Sequence, residues 1–260
     1  MLNGLLLIDK PAGWTSHDVV AKVRSLLRTE IRNQQLENSK GQPKGKLIPN
    51  SQLPISPSAK PKVGHTGTLD PLATGLMILV LGSYTKRAQE FSKLDKTYEA
   101  ELTLGATSAT GDSEGPIIPT ENNDSYQNTR SSILVRDIAE VLQSFVGRIM
   151  QKPHPHSAVK IGGQRAYKLA RQGKEVIIEP RKVTIYELQT TNYEYPKLCL
   201  TARVSSGTYI RSLAEDIGQK LGTGAYLSAL RRTKVGNFDI EKALEVEDLT
   251  VVNIENNLQK

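Results

Sequence analysis

Apolar and polar residues follow one another along the chain with two different periods, one typical of strands and one typical of helices. Residues 4–9 (GLLLID) form a short apolar run that predicts a buried strand. The run 76–82 (LMILVLG) is apolar on both faces, as expected of a strand in the interior of a sheet. Alternation in 98–105 (YEAELTLG) and in 197–206 (KLCLTARVSS) predicts two half-buried strands.

Three further segments carry apolar residues at the spacing of one helix face. Thr15 or Ser16 could cap the first predicted helix, whose apolar positions are Val19, Val20, Val23, Leu26 and Leu27. Residues 133–147 (ILVRDIAEVLQSFVG) predict a second helix, and 208–222 (TYIRSLAEDIGQKLG) predict a third. Because strands and helices mix without a regular strand–helix–strand repeat, we expect an α+β fold with a central mixed or antiparallel sheet.

The composition changes sharply between Arg28 and Lys62. This stretch holds seven Lys or Arg against two Asp or Glu, together with five of the 13 prolines. Such a polar, proline-interrupted segment buries too little surface to offset the entropy of ordering it. We therefore predict a disordered basic loop at about 28–62, inserted into the domain, and a second loop-like stretch at 106–131.

Charge and cysteine content narrow the class of protein. The net charge of +7 over 260 residues favours a polyanionic partner such as nucleic acid. The one cysteine, Cys199, excludes an internal disulfide and a cysteine-rich zinc site. No apolar run reaches the roughly 20 residues of a membrane span, and the first residues lack the pattern of a signal peptide. We expect a cytoplasmic protein that does not contact a membrane.

The stretch Gly64–Gly75 (GHTGTLDPLATG) is the strongest candidate for a functional site. It lacks the Gly-Lys-Ser/Thr ending of a phosphate-binding P-loop and the spacing of a dinucleotide-binding loop. Its carboxylate, Asp70, would also repel a phosphate. Taken alone, the local sequence favours Asp70 as a helix N-cap, with Pro71 at the first helical position.

Other single residues also allow ordinary structural explanations. Arg211 could be a helix-surface arginine, and Tyr98 could be an aromatic residue of a strand. His154 and His156 stand two apart without a nearby cysteine, which is too few ligands for a closed zinc site. We predict that both histidines face solvent and that the protein holds no metal.

Six blocks taken together point to one family. They are, in chain order, GLLLIDKPAGWTSHDVV, KVGHTGTLDPLATGLMILVLG, KTYEAELTLGATSATGD, SAVKIGGQRAYKLAR, VSSGTYIRSLAEDIG and GTGAYLSALRRT. In this order they resemble the bacterial TruB family of tRNA pseudouridine-55 synthases. The resemblance implies the pseudouridine synthase fold, catalysis without metal or organic cofactor, the T-stem-loop of tRNA as partner, and a monomer. It also implies one catalytic domain over 1–250, followed by a C-terminal tail at 251–260.

The resemblance assigns roles to six residues: catalytic Asp70 and Arg211, and substrate-binding His65, Tyr98, Tyr209 and Leu230. Asp70 would act on a uridine flipped out of the RNA, with Arg211 as its charge partner. His65 would occupy the place that the base leaves, and Tyr98 would pack against the extruded uracil. Tyr209 would line the pocket, and Leu230 would close its apolar wall. Whether attack occurs at C6 or at C1′ stays open.

The chain departs from the family pattern at three places. The insert at 28–62 is far longer than usual, and His156 stands where many members have an aromatic residue. Because only 27 residues follow LRRT in this sequence, we expect no C-terminal RNA-binding domain of the PUA type. A non-catalytic RNA-binding protein would need the basic surface but not Asp70. A glycoside hydrolase would need a second carboxylate, which these motifs do not supply.

Overall fold

The computed structural model describes residues 2–40, 61–120, 135–155, 157, 159–173 and 176–260. The strands in chain order are β1 (Gly4–Lys10), β2 (Val63–His65), β3 (Thr74–Leu81), β4 (Lys96–Leu104), β5 (Ala106–Ser108), β6 (Ile117–Pro119), β7 (Gly147–Gln151), β8 (Lys160–Ile161), β9 (Gln164–Arg165), β10 (Arg181–Glu194), β11 (Lys197–Val204), β12 (Ala225–Val235), β13 (Phe238–Asp239) and β14 (Leu244–Glu245). The helices are α1 (Ser16–Lys40), α2 (Ala88–Ser92), α3 (Val135–Gln143), α4 (Ala166–Arg171), α5 (Ile210–Lys220) and α6 (Val251–Asn256).

The chain folds into two compact units. The first unit comprises Met1–Pro71, Gly75–Ser92 and Ile240–Lys260, and the second comprises Leu72–Thr74 and Lys93–Asp239. Each unit is therefore built from stretches that are distant in the sequence. The motif Gly64–Gly75 passes from the first unit into the second between Pro71 and Leu72.

A mixed sheet forms the centre of the first unit. β1 pairs with β3 in antiparallel register, from Gly4 opposite Leu81 to Lys10 opposite Gly75, and pairs with β14 in parallel. β2 lies antiparallel to β3. Leu76 to Leu81 are at most 1% exposed, which confirms the predicted interior strand. The chain's last residues also join this unit, because Leu5 and Gln259 exchange both backbone hydrogen bonds, at 2.8 and 2.9 Å.

Helix α1 begins where the sequence predicts and ends later. The Thr15 hydroxyl accepts a hydrogen bond from the Asp18 amide at 3.2 Å, and the Asp18 carboxylate accepts from the Thr15 amide at 2.8 Å. This reciprocal pair is a capping box. The helix continues to Lys40, so the prediction of a loop from Arg28 is wrong over its first thirteen residues. Of the remainder of that prediction, 41–60 lie outside the described residues, and Pro61 and Lys62 belong to neither a helix nor a strand.

An antiparallel sheet forms the centre of the second unit, with strand order β12-β4-β11-β10-β7. Tyr98, Ala100, Leu102 and Leu104 are all buried on one face of β4, which confirms the predicted alternation. α5 packs against β12, and α3 packs against β10. The expected α+β class with a mixed or antiparallel sheet is confirmed. The predicted loop at 106–131 holds the short pair β5 and β6, while 121–134 lie outside the described residues.

None of the helices in the described ranges combines the length and the apolar character that crossing a membrane requires.

Gly218 gives a test of how closely α5 approaches β12. A Cβ atom on this helical glycine would overlap the backbone nitrogen of Ala225 and the carbonyl carbon of Gly224. In an open helix, Gly→Ala stabilises by about 1 kcal/mol. Here we expect Gly218→Ala to destabilise the protein by about 1–3 kcal/mol in urea denaturation, because the overlap forces the helix away from the strand.

Gly64→Ala is the matched control for this substitution. Its added Cβ would meet only Val80 Cγ2, at an ordinary 3.5 Å. The close approach of α5 and β12 is refuted if Gly218→Ala is at least as stable as Gly64→Ala.

Candidate active site

Asp70 lies in a loop between β2 and β3, and the residue before it is held by a buried serine. The Ser16 hydroxyl donates to the Leu69 carbonyl at 3.0 Å and accepts from the Leu69 amide at 2.8 Å. Ser16 is only 2% exposed, so these two bonds are shielded from water. The backbone on the N-terminal side of Asp70 is therefore fixed to the first residue of α1.

The residue after Asp70 is held from the turn that follows β1. The Pro71 carbonyl accepts from the Gly13 amide at 2.9 Å and from the Lys10 ammonium at 3.4 Å. Lys10 is fully buried, and its ammonium also donates to the carbonyls of Pro11 and Trp14, at 2.8 and 2.7 Å. With three carbonyl acceptors, this cation is compensated although it lacks water. Hydrogen bonds therefore hold the backbone on both sides of Asp70, at Leu69 and at Pro71.

Asp70 does not cap a helix. The residues after it bend without helical hydrogen bonds, and the chain enters β3 at Thr74. The helix-cap explanation of the Asp-Pro pair is therefore wrong. Asp70 remains partly exposed, between a buried Leu69 and a half-buried Pro71.

His65 ends β2 in the same unit as Asp70. Its backbone pairs with Leu79 in the centre of β3. Its ring meets the ring of His17 from α1 edge-on, with centroids 5.7 Å apart and planes inclined by 73°. His65 is half-buried, while His17 is exposed. The motif histidine therefore has a second imidazole against it, which the sequence pattern did not indicate.

Tyr98 and Leu230 lie on paired strands of the second unit. Tyr98 on β4 is 8% exposed and stands opposite the buried Arg232 of β12. Leu230 is half-buried on β12, opposite Ala100. The Leu230 carbonyl accepts a hydrogen bond from the Thr74 hydroxyl at 3.5 Å. Within the second unit, Thr74 of the motif is thereby attached to the strand that carries Leu230.

Arg211 is buried rather than on the helix surface. It is the second residue of α5, and its side chain is 9% exposed. One guanidinium nitrogen, Nη1, lies 3.3 Å from Asp112 Oδ2 and donates to the Thr110 carbonyl at 3.0 Å. Asp112 is also buried, so the two charges compensate one another in a site with little water. The explanation of Arg211 as a helix-surface residue is wrong.

The turn that carries Asp112 is ordered by its own hydrogen bonds. Oδ1 of Asp112 accepts from the Thr110 hydroxyl at 2.6 Å and from the Glu114 amide at 3.1 Å. The other carboxylate oxygen is directed at Arg211. The guanidinium of Arg211 is thus oriented by a preformed acceptor pair, the Thr110 carbonyl and the Asp112 carboxylate.

Glu215 follows Arg211 by one turn of α5. Burial raises the pKa of the Glu215 carboxyl to about 7; the nearby charges of Asp216 and Asp112 also raise it, and Arg211 opposes them. Nε2 of His154 lies 3.6 Å from Oε1 of Glu215. His154 is 8% exposed, so the prediction that it faces solvent is wrong. His156 lies outside the described residues.

Tyr209 precedes α5 and is fixed by a buried amide. The Gln151 side chain accepts from the Tyr209 amide at 2.8 Å and donates to the Tyr209 carbonyl at 3.0 Å. Gln151 is 1% exposed at the end of β7. A further bond joins the first turn of α5 to the residue after β7: the Ser212 hydroxyl donates to the Lys152 carbonyl at 3.0 Å. The start of α5, with Tyr209 and Arg211, is therefore fixed to the end of β7.

The Tyr209 side chain packs against a small apolar cluster made by Val159, Ala166 and Ile178.

Within the ranges that the structure describes, no group of three or more His, Cys, Asp and Glu is arranged to hold a metal ion. Sequence analysis assigned no role to Asp112, Gln151 and Glu215, and it placed His154 in solvent. Asp112 and Glu215 carried a signal, since they stand in the blocks KTYEAELTLGATSATGD and VSSGTYIRSLAEDIG of the family resemblance.

Two family models match the chain. The model described as TruB family pseudouridylate synthase (N terminal domain) matches residues 56–210. The model described as tRNA pseudouridylate synthase B C-terminal domain matches residues 211–260. Together they cover most of the chain, and their boundary falls at the start of α5.

Curated relatives and a solved structure agree with these matches. The tRNA pseudouridine synthase B of Syntrophotalea carbinolica is 38% identical over 96% of this chain and 70% of its own length. That of Leifsonia xyli subsp. xyli is 41% identical over 95% and 72%. A chain from an H/ACA ribonucleoprotein bound to a substrate RNA containing 2′-deoxyuridine is 26% identical, with a TM-score of 0.59 over 95% of this chain. The alignment spans about half, 52%, of that longer chain.

The two hydrogen bonds between Gln151 and the Tyr209 backbone predict a loss of stability for Gln151→Leu. This change keeps a buried side chain of similar size but leaves the Tyr209 amide without its acceptor, whereas the Tyr209 carbonyl still accepts from the Leu213 amide at 3.1 Å. An unsatisfied buried group costs about 1–3 kcal/mol, so we expect a loss of that size in the free energy of unfolding, measured in urea.

Gln143→Leu at the exposed end of α3 is the control for adding an apolar side chain. Gln151→Glu should lie between the two, because a carboxylate accepts from the Tyr209 amide but cannot donate to its carbonyl. Equal stability of the Gln151→Leu and Gln143→Leu proteins would show that the clamp contributes nothing.

Proposed function

The chain belongs to the TruB family of tRNA pseudouridine synthases, and from this premise we propose that it modifies uridine 55 in the T-loop with Asp70 as its essential carboxylate. The enzyme is an isomerase that converts uridine in tRNA to pseudouridine. The observation that supports the role of Asp70 most directly is the double clamp on Leu69 and Pro71, which holds a partly exposed carboxylate at a set position.

The reaction breaks the N1–C1′ bond of uridine and joins C1′ to C5 of the same uracil, so that C5 loses a proton and N1 gains one. The reacting base must leave the stack of the RNA loop before Asp70 can meet it, at a cost of a few kcal/mol. A carboxylate serves either as the nucleophile or as the group that stabilises and deprotonates the detached intermediate. Both roles require the carboxylate of Asp70 to be held in place, which the hydrogen bonds to the backbone of Leu69 and Pro71 support.

Arg211 is proposed to act on the charge and orientation of Asp70 during this reaction. An arginine stays protonated at all working pH values, and the burial of Arg211 restricts where its cation can point. The Thr110 carbonyl and the Asp112 carboxylate already engage Nη1 of the guanidinium. A cation oriented before the substrate arrives needs little reorganisation in the transition state.

The other four family positions are proposed as the nucleotide pocket: His65, Tyr98, Tyr209 and Leu230. His65 fills the place that the flipped base leaves, and its contact with the His17 ring supports a stacking surface there. Tyr98 packs on the uracil, while Tyr209 and Leu230 complete the apolar lining. Gln151 fixes the backbone of Tyr209, which supports a rigid pocket wall on that side.

We propose that the T-stem-loop is the part of tRNA that the enzyme binds, and that it does so as a cytoplasmic monomer. The net charge of +7 supports binding of a polyanion. Phosphate contacts set affinity and orientation, whereas contacts to the flipped base select the reacting uridine.

Asp70→Asn should abolish pseudouridine formation on an unmodified tRNA transcript, because the amide keeps the shape of the side chain but cannot act as a carboxylate. Affinity for tRNA should remain within a few-fold, since phosphate contacts dominate binding.

Arg211→Met should also reduce turnover strongly. If the two residues act as one unit, the double variant should be little slower than the slower single variant.

Asp248→Asn, at an exposed position, controls for the substitution itself and should leave turnover unchanged. Mass spectrometry of the Asp70→Asn protein excludes deamidation back to aspartate. Pseudouridine formation by that protein at more than a small fraction of the wild-type rate would refute the essential role of Asp70.

His65→Ala and Tyr98→Phe separate stacking from chemistry. His65 is only half-buried, so its truncation should change the melting temperature little while lowering the rate of turnover. Tyr98→Phe keeps the ring and should retain most activity if packing on the base is its role. A large fall in melting temperature with normal turnover for His65→Ala would assign this histidine to structure instead.

A further inference from the structure

Gly111 lies in the turn that binds Arg211, between Thr110 and Asp112. Its φ of +75° lies in the left-handed region that favours glycine. A Cβ atom on Gly111 would lie 3.1 Å from Oε1 of Glu215 and 3.3 Å from Cδ2 of His154. The carboxyl of Glu215 and the ring of His154 therefore pack directly on the main chain of Gly111, where a side chain would otherwise be.

Backbone hydrogen bonds also attach this turn to β12. The Leu227 amide donates to the Gly111 carbonyl at 3.0 Å, and the Ser113 amide donates to the Leu227 carbonyl at 3.1 Å. On the side toward α5, Arg211 binds the residues before and after Gly111, through the Thr110 carbonyl and the Asp112 carboxylate. Glu215 and His154 pack against Gly111 itself, which immediately precedes Asp112 in the chain.

We propose that Glu215 and His154 are positioning residues for the reaction: together they hold Gly111 in place and thereby set the geometry between Asp112 and Arg211. The proposal rests on the proposed role of Arg211 in catalysis. Neither residue needs to touch the substrate. Glu215 acts from the same helix as Arg211, one turn further along, and His154 acts from the segment after β7.

The charges around Glu215 predict that the effect of Glu215 and His154 depends on pH. The charged or titratable groups facing Glu215 are Arg211 and Asp216 of α5, Asp112 of the turn, and His154. Since the pKa of Glu215 is raised to about 7, its carboxyl is mainly protonated below this pH and mainly ionised above it. The ionised form attracts Arg211 and opposes Asp112, so loss of the proton alters the balance of forces on the ion pair.

The experiment measures kcat and KM for an unmodified tRNA transcript between about pH 5.5 and 8.5, for wild type, Glu215→Gln and His154→Ala. We expect a change of slope near pH 7 in the kcat profile of the wild type, absent from Glu215→Gln. Both variants should lose about fivefold or more in kcat with KM changed less than about twofold, because they misplace Arg211 without removing RNA contacts. Glu247→Gln, at an exposed position, should match wild type.

A second experiment tests whether Glu215 acts through the ion pair of Asp112 and Arg211. In an Asp112→Asn background, Glu215→Gln should cost less than about twofold, because the ion pair through which it acts is already weakened. A merely structural role would lower kcat by the same factor in both backgrounds and leave the pH profile unchanged, which would overturn the proposal. A wild-type profile and rate for both Glu215→Gln and His154→Ala would overturn it as well.

Folding and the underlying function are checked separately. If Glu215→Gln does not fold, His154→Ala and its combination with Asp112→Asn carry the same test. Activity of Asp70→Asn would refute the proposed function itself. Inactive Asp70→Asn together with unaffected Glu215→Gln and His154→Ala would leave the function standing and refute only the positioning pair.

Discussion

The buried guanidinium of Arg211 is the constraint on which the second unit's architecture around α5 depends. A cation without water destabilises a fold unless every side of it is compensated. The Asp112 carboxylate and the Thr110 carbonyl provide that compensation, which requires an ordered turn between β5 and β6. It also requires α5 to start at a defined point, which the Gln151 amide ensures. The burial of this one cation therefore goes together with order in two segments that are distant from α5 in the sequence.

Asp70, in the first unit, is held in position by hydrogen bonds to the backbone of its two neighbours. Ser16 holds Leu69, and Lys10 with Gly13 holds Pro71, so the carboxylate is placed through its neighbours. The side chain of Asp70 stays partly exposed. Placing a group through its main chain keeps the group available to a ligand. Arg211 is placed in the opposite way, through its side chain, and is correspondingly buried.

The two ways of placing a residue explain which parts of the site could be predicted. The motif around Asp70 is local, and its glycines, proline and carboxylate stand together in the sequence. The partners of Arg211 lie in another segment, and Gln151 looks like any polar residue at the end of a strand. The extension of α1 to Lys40 was missed for a related reason. Polar helical residues stabilise one another through side-chain pairs such as Gln34 with Glu30, which a low apolar content does not reveal.

By itself the sequence determined the strands and helices with a clear apolar period, the α+β class, and family membership, because these depend on residue order and spacing. The structure alone decided that Asp70 caps no helix, that His154 is buried against Glu215, and that Arg211 is paired with Asp112. Burial and charge pairing are properties of segments brought together by folding. The pattern of residues along one chain does not show burial or charge pairing. An arginine at this position of a helix could equally face solvent or pair with a buried carboxylate.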